Sequence, residues 1–145
     1  MNLASFNDWL LLVHVVVTLF MVGVIWFVQI VHYPLFHRVG KPGFAEYERQ
    51  NTRRTGYVLA VPMLAELLSA GALVWRLGGV LAWSGFVLLM VIWLSTWLWQ
   101  VPAHRRLEQS FDDATHRRLV RTNWARTLAW SARGMIALAL LVVSR

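Results

Sequence analysis

Hydrophobic positions along this chain fall into four long runs, separated by shorter polar stretches rich in arginine. The runs cover Trp9–Tyr33, Tyr57–Arg76, Val80–Val101 and Trp124–Val143. Each is close to the ~20 residues that a helix rising about 1.5 Å per residue needs to cross about 30 Å of hydrocarbon. The pattern predicts an all-α, polytopic four-helix bundle forming one integral membrane domain over residues 1–145. The first run lacks a basic leader and a small-residue cleavage site and is too long for a signal peptide, so it reads as a retained helix. Ser131 and Arg133 interrupt the fourth run.

The links carry their own signals. Arg76-Leu77-Gly78-Gly79 reads as a tight hairpin, because glycine supplies backbone freedom that other residues lack. Lys41-Pro42-Gly43 is a turn signal, and Phe44 with Tyr47 predicts a brief interfacial helix inside the first long loop. In the other long loop, Ser110 followed by Asp113 resembles a capping box and predicts a helix leading into the fourth span. No repeat or low-complexity tract stands out.

Composition agrees with a lipid-solvated chain: 58% of residues are hydrophobic, 14% are charged, and nine are tryptophan. Cysteine is absent, which removes disulfides, thiolate metal sites and cysteine nucleophiles. The net charge of +7 is unevenly placed. Arg38, Lys41, Arg49, Arg53 and Arg54 lie in loop 34–56, and Arg105, Arg106, Arg117, Arg118 and Arg121 in loop 102–123, against Arg76 and Arg145 on the other side. The positive-inside rule then puts both basic loops in the cytoplasm and both termini outside, in the cell inner membrane. The charge is read as this signal plus attraction to anionic lipid, not as a nucleic-acid surface. Trp9, Trp75 and Trp83 fall at the outer boundary and Trp99 and Trp124 at the inner one, as interfacial indoles do.

Candidate chemistry begins with Glu66 and Arg133, charges at membrane depth that are rarely kept without a partner or a task. Each is nine residues into its span, about 14 Å deep, so the two are expected to pair across spans two and four. Pro62, one turn before Glu66, predicts a kink or small polar cavity there.

Helical phase adds further groups. His14, Thr18, Met21, Ile25 and His32 share a face of span one, yet the two histidines are about 27 Å apart and cannot hold one ion together. Trp93, Trp97, Gln100 and His104 share a stripe on span three that Pro102 interrupts; Arg126, Trp130, Arg133 and Ala137 share one on span four, with Asn123 nearby. Together they predict a polar funnel with His32, Gln100, His104, Asn123 and Arg126 near the inner rim and Glu66 and Arg133 deeper. Trp93, Trp97 and Trp130 would wall it against a flat apolar ligand. His37 and His116, within basic loops, read as solvated. His32 and His104 at one depth, with a carboxylate, would suit a single metal ion, although no ligand-spacing motif supports one.

Gln100-Val101-Pro102-Ala103-His104-Arg105-Arg106-Leu107, followed by Thr122-Asn123-Trp124-Ala125-Arg126-Thr127, resembles paired signatures of the small four-helix membrane family that includes the anthrone oxygenases. Tyr33-Pro34 and Pro62 are similar to that pattern too. The resemblance covers the whole chain in topology, while His104 stands where that family often has Asn, and Glu66 and Arg133 have no counterpart in the pattern. It implies oxygenation or oxidation of a flat, electron-rich ring drawn from the bilayer. His104 or His32 would be the base, Arg126, Arg133 and Asn123 would stabilise the anion, and no cofactor is required. Two alternatives stand beside it. One is a haem-binding oxidase with His14 as the axial ligand; the other is a non-enzymatic small-molecule- or lipid-binding or assembly protein braced by Glu66–Arg133. Substrate, cofactor and oligomeric state stay open.

Overall fold

The computed structural model describes residues 6–144, and those residues form helices and short connections with no strand; Arg145, used in the charge count above, lies outside them. The helices are α1 (Phe6–Phe27), α2 (Lys41–Leu77), α3 (Gly79–Ser95), α4 (Val101–Leu107) and α5 (Asp113–Val143). They build an all-α four-helix bundle whose segments Phe6–Arg38, Lys41–Leu77, Gly79–Leu107 and Asp113–Val143 are each long and apolar enough to cross a membrane. Its outward face is strongly apolar: Val61, Leu68, Trp75 and Met135 are each at least 70% exposed, a surface suited to hydrocarbon. The boundary tryptophans Trp9, Trp75, Trp83, Trp99 and Trp124 all face outward.

The segment α5 packs on both α1 and α3, and α2 closes the bundle against α1 and α3. Two glycines let α5 approach its neighbours. A Cβ on Gly134 would stand 3.2 Å from Val22 Cγ2, and one on Gly85 would stand 3.3 Å from Ile136 Cγ2. The α2–α3 hairpin turns at Gly78 and Gly79, both at positive φ, as the sequence predicts.

The connections differ more. The predicted first loop is helical through most of its length: α2 runs unbroken for 37 residues, about 55 Å, from Lys41 through Pro62 to Leu77. Pro42 opens it near N1, where the missing N–H costs nothing. The next turns hold because Phe44 and Glu48 face inward and Glu46 supports Arg49 and Gln50 at 2.8 and 2.9 Å on the outer face. The helix α5 is likewise 31 residues long, but its cap is Asp112 rather than Ser110. The Asp112 carboxylate accepts from Thr115 N at 2.8 Å, and that hydrogen bonding holds its pKa below the ordinary 3.8.

Two short π-helical turns, Val28–His32 and Thr96–Gln100, interrupt the first and third spans. Each ends one residue before a Tyr33-Pro34 or Val101-Pro102 pair. Tyr33 N–H donates to Val28 O at 3.0 Å and Val101 N–H donates to Thr96 O, five residues back in both cases. The wider turn relieves the clash between a proline ring and the carbonyl four residues earlier. Both halves of the chain thus use the same device at the same end of the bundle.

Candidate functional site

The two π turns face each other across a cavity of about 320 Å³ at the basic end of the bundle. Val28 and His32 come from the first turn and Thr96 and Gln100 from the second. Met21, Ile25, Leu59, Met63 and Trp130 form its apolar wall; Tyr33, Asn51, His104 and Arg126 supply polar groups. That volume and balance, mostly apolar with a few convergent polar groups, is what small-molecule sites show.

The polar groups form one connected chain. Glu48, fully buried on the extension of α2, pairs with His104 Nδ1, and His104 Nε2 lies 2.9 Å from the Tyr33 hydroxyl. The two partners accommodate either state of the ring: protonated, it donates to both Glu48 and Tyr33; neutral, Nδ1–H donates to the carboxylate and the phenol donates to Nε2, which leaves a base facing Tyr33. Asn51 Nδ2 donates to the other Glu48 oxygen at 3.1 Å. The amide oxygen of Asn51 then accepts from His32 Nε2 at 2.9 Å. Tyr33 is placed from behind: its backbone carbonyl accepts from His116 Nε2 at 2.7 Å. His116 is therefore buried and structural, not solvated, because α5 begins early enough to carry it under the first π turn.

Arg126 faces the Tyr33 hydroxyl from α5. Its Nη1 donates to Asn123 Oδ1 at 3.0 Å, and its guanidinium lies 5.2 Å from the Trp130 ring centroid. Asn123 in turn donates to Gln29 Oε1 at 3.0 Å, so Asn123 positions Arg126 and does not line the cavity. The arrangement supplies what proton abstraction requires: a base held in one tautomer when neutral, a phenol to pass the proton, and a fixed cation beside it.

The expected Glu66–Arg133 pair is present, but as a separate unit. Arg133 Nε and Nη2 both donate to Glu66 Oε1, at 3.1 and 2.9 Å, so the contact is not the two-oxygen fork. Trp130 Nε1 donates to Oε1 and Oε2 at 3.3 and 3.1 Å, and Arg133 Nη1 donates to the Gly85 carbonyl. Neither charge lines the cavity; the Trp130 ring lies on its wall, and the pair sits behind it. The predicted funnel therefore stops at Trp130, and the space near Pro62 is the apolar wall of Leu59, Ala60 and Met63, not a polar pocket beside Glu66.

His14 is buried and bonds Ser69 Oγ at 2.9 Å, a brace between α1 and α2, and it does not line the cavity. Trp93 and Trp97 do not wall the cavity either, and Trp97 is 69% exposed on the outer face. The second π turn breaks the four-three-four spacing that put them in line with Gln100. Among the described residues no cluster of three His, Cys, Asp or Glu could hold a metal.

Sequence reasoning missed Glu48, Asn51 and Gln29 and gave Tyr33 no role. The available signal was spacing: Phe44, Glu48 and Asn51 lie three or four apart, a helical face inside what read as a loop. Comparison with protein-family models, curated proteins and solved structures returns no match for this chain.

Proposed function

We propose that this chain is a membrane oxidoreductase that oxygenates a flat, apolar ring compound taken from the bilayer, with molecular oxygen as co-substrate. The observation that carries the reading is the Glu48–His104–Tyr33 chain ending beside Arg126 on the wall of an otherwise apolar cavity. A ring CH₂ conjugated through the fused aromatic rings to a carbonyl across from it loses a proton through Tyr33 to His104, and Arg126 stabilises the enolate. The enolate passes one electron to dioxygen, the resulting carbon radical and superoxide join as a peroxide anion, and this takes the proton back from His104 to become the hydroperoxide. Loss of water then leaves the quinone, so that CH₂ and O₂ become C=O and H₂O. His32 and Asn123 orient the polar groups, and Gln100 and Trp130 contact the ring.

The arginine distribution supports a multi-pass placement in the inner membrane with loops 34–56 and 102–123 in the cytoplasm and both termini outside. The resemblance of the Gln100–Leu107 and Thr122–Thr127 motifs to those of the anthrone oxygenase family supports the same chemistry. Purified protein given a reduced anthrone and oxygen is expected to form the quinone, with His104→Ala at background. Equal rates for the two proteins remove the proposal.

A second reading is a binding protein without turnover, favoured by the almost wholly apolar cavity wall. It predicts tight binding of the same rings, with no product and no effect of Tyr33→Phe.

A further inference from the structure

Two buried polar atoms of residues lining the cavity find no partner among the described residues: Gln100 Oε1 and Arg126 Nε. One accepts and the other donates. Their orientation is held by their remaining contacts. Thr122 uses its hydroxyl hydrogen on the Arg118 and Leu119 carbonyls, so its oxygen must accept from Gln100 Nε2 at 3.0 Å, and the Gln100 amide cannot flip. Arg126 is held by Asn123 and by the face of Trp130. Unmet buried groups of opposite sense call for a ligand that brings both an O–H donor and an oxygen acceptor.

On the α1–α2 side the cavity borders a lipid-facing groove. A second, apolar groove of about 240 Å³ adjoins it and shares Val28, His32, Thr55 and Leu59 with it. Beyond that shared frame the groove reaches Phe27 and Val58, which are 56% and 59% exposed on the lipid-facing surface. Arg54 also lines the groove, and the remaining, mainly apolar surface suits a hydrocarbon chain better than a polar one.

We infer that the natural ligand is a ring lipid: a phenolic ring system with an O–H and a second ring oxygen seated between Gln100 and Arg126, with a long hydrocarbon tail leaving through the α1–α2 groove. The inference rests on the reading of the cavity as a ring site and adds the paired oxygens and the tail.

The test is anaerobic photo-crosslinking in nanodiscs, with a hydroquinone whose long alkyl tail ends in a diazirine. The expected result is labelling concentrated at Phe27 and Val58, suppressed at least tenfold by excess unlabelled tailed hydroquinone but not by its dimethyl ether, which has no O–H to offer. Gln100→Leu is expected to abolish that preference, and Val58→Trp to reduce labelling while a tail-free hydroquinone still binds. Labelling spread evenly over all lipid-facing helices, or equal competition by the ether, overturns the inference. If anthrone turnover persists in that case, the oxygenase reading stands without the tail; loss of turnover with labelling retained removes the oxygenase reading alone.

Discussion

Trp130 and Glu66 are joined by an indole N–H that reaches both carboxylate oxygens, and through that contact one side chain serves two regions. Its ring closes the cavity, and its nitrogen completes the shell of the buried ion pair. Replacing it by phenylalanine keeps most of the ring and strands Glu66 Oε2. Trp130→Phe is therefore expected to cost about 1–3 kcal/mol in unfolding free energy measured in detergent.

Breaking the pair from the other side is more severe, because the charge left behind has no water to turn to. Arg133→Met is expected to cost about 3–5 kcal/mol, whereas Glu66→Leu combined with Arg133→Met recovers most of that loss. Unfolding of the single and the double variant checks this; a double variant as unstable as Arg133→Met would show that the guanidinium acts mainly through Gly85.

In the proposed reaction Tyr33 and Glu48 act on the chemistry and not on binding. Tyr33→Phe removes the proton path, and Glu48→Gln removes the carboxylate that holds the His104 tautomer. Each is expected to lower turnover by about 10²–10⁴ while ring affinity changes only a few-fold. Rates and equilibrium binding measured on the same preparations decide the point.

Gly134 sets the distance between α5 and α1. Its alanine variant must push aside Val22 Cγ2, 3.2 Å from the new Cβ, and Gly134→Leu must move the helix. The leucine variant is expected to lose about 1–3 kcal/mol by overpacking, and alanine clearly less, in thermal unfolding.

Asp112 gives the start of α5 a pH dependence of known sign. Its carboxyl pKa is lowered in the folded chain, so its capping contribution is present above the unfolded value of 3.8 and is lost as pH falls through the folded value. Amide exchange at Thr115 and His116, corrected for intrinsic rates, is expected to accelerate there, and Asp112→Ala is expected to show the fast rate at every pH.

The four spans and the Glu66–Arg133 pairing were legible in the sequence for one reason: hydrocarbon penalises polar groups so heavily that length and depth decide the outcome. The α5 stripe of Arg126, Trp130, Arg133 and Ala137 was legible as well, since α5 is regular and all four are buried. The cavity was not, because it depends on two π turns. A phase rule of 100° per residue keeps His14, Thr18, Met21 and Ile25 correctly inside, then loses its place across the first π turn, after which Tyr33 and not His32 is buried. The same slip turns Trp97 outward and leaves Gln100 inward. Glu48 was hidden differently. Between Glu46 and Arg49 it looks like one more solvated charge, and only the continuation of α2 beyond the apolar window buries it.

That continuation places Glu48 about 27 Å along the helix axis from Glu66. In the proposed reaction the buried Glu48 would reach water through His104, whose side chain is 16% exposed, while the apolar ring would arrive from the side through oil. In sealed vesicles the reaction would consequently have sidedness: acidity in the compartment that bathes the arginine-rich face would govern its rate, and acidity in the opposite one would not.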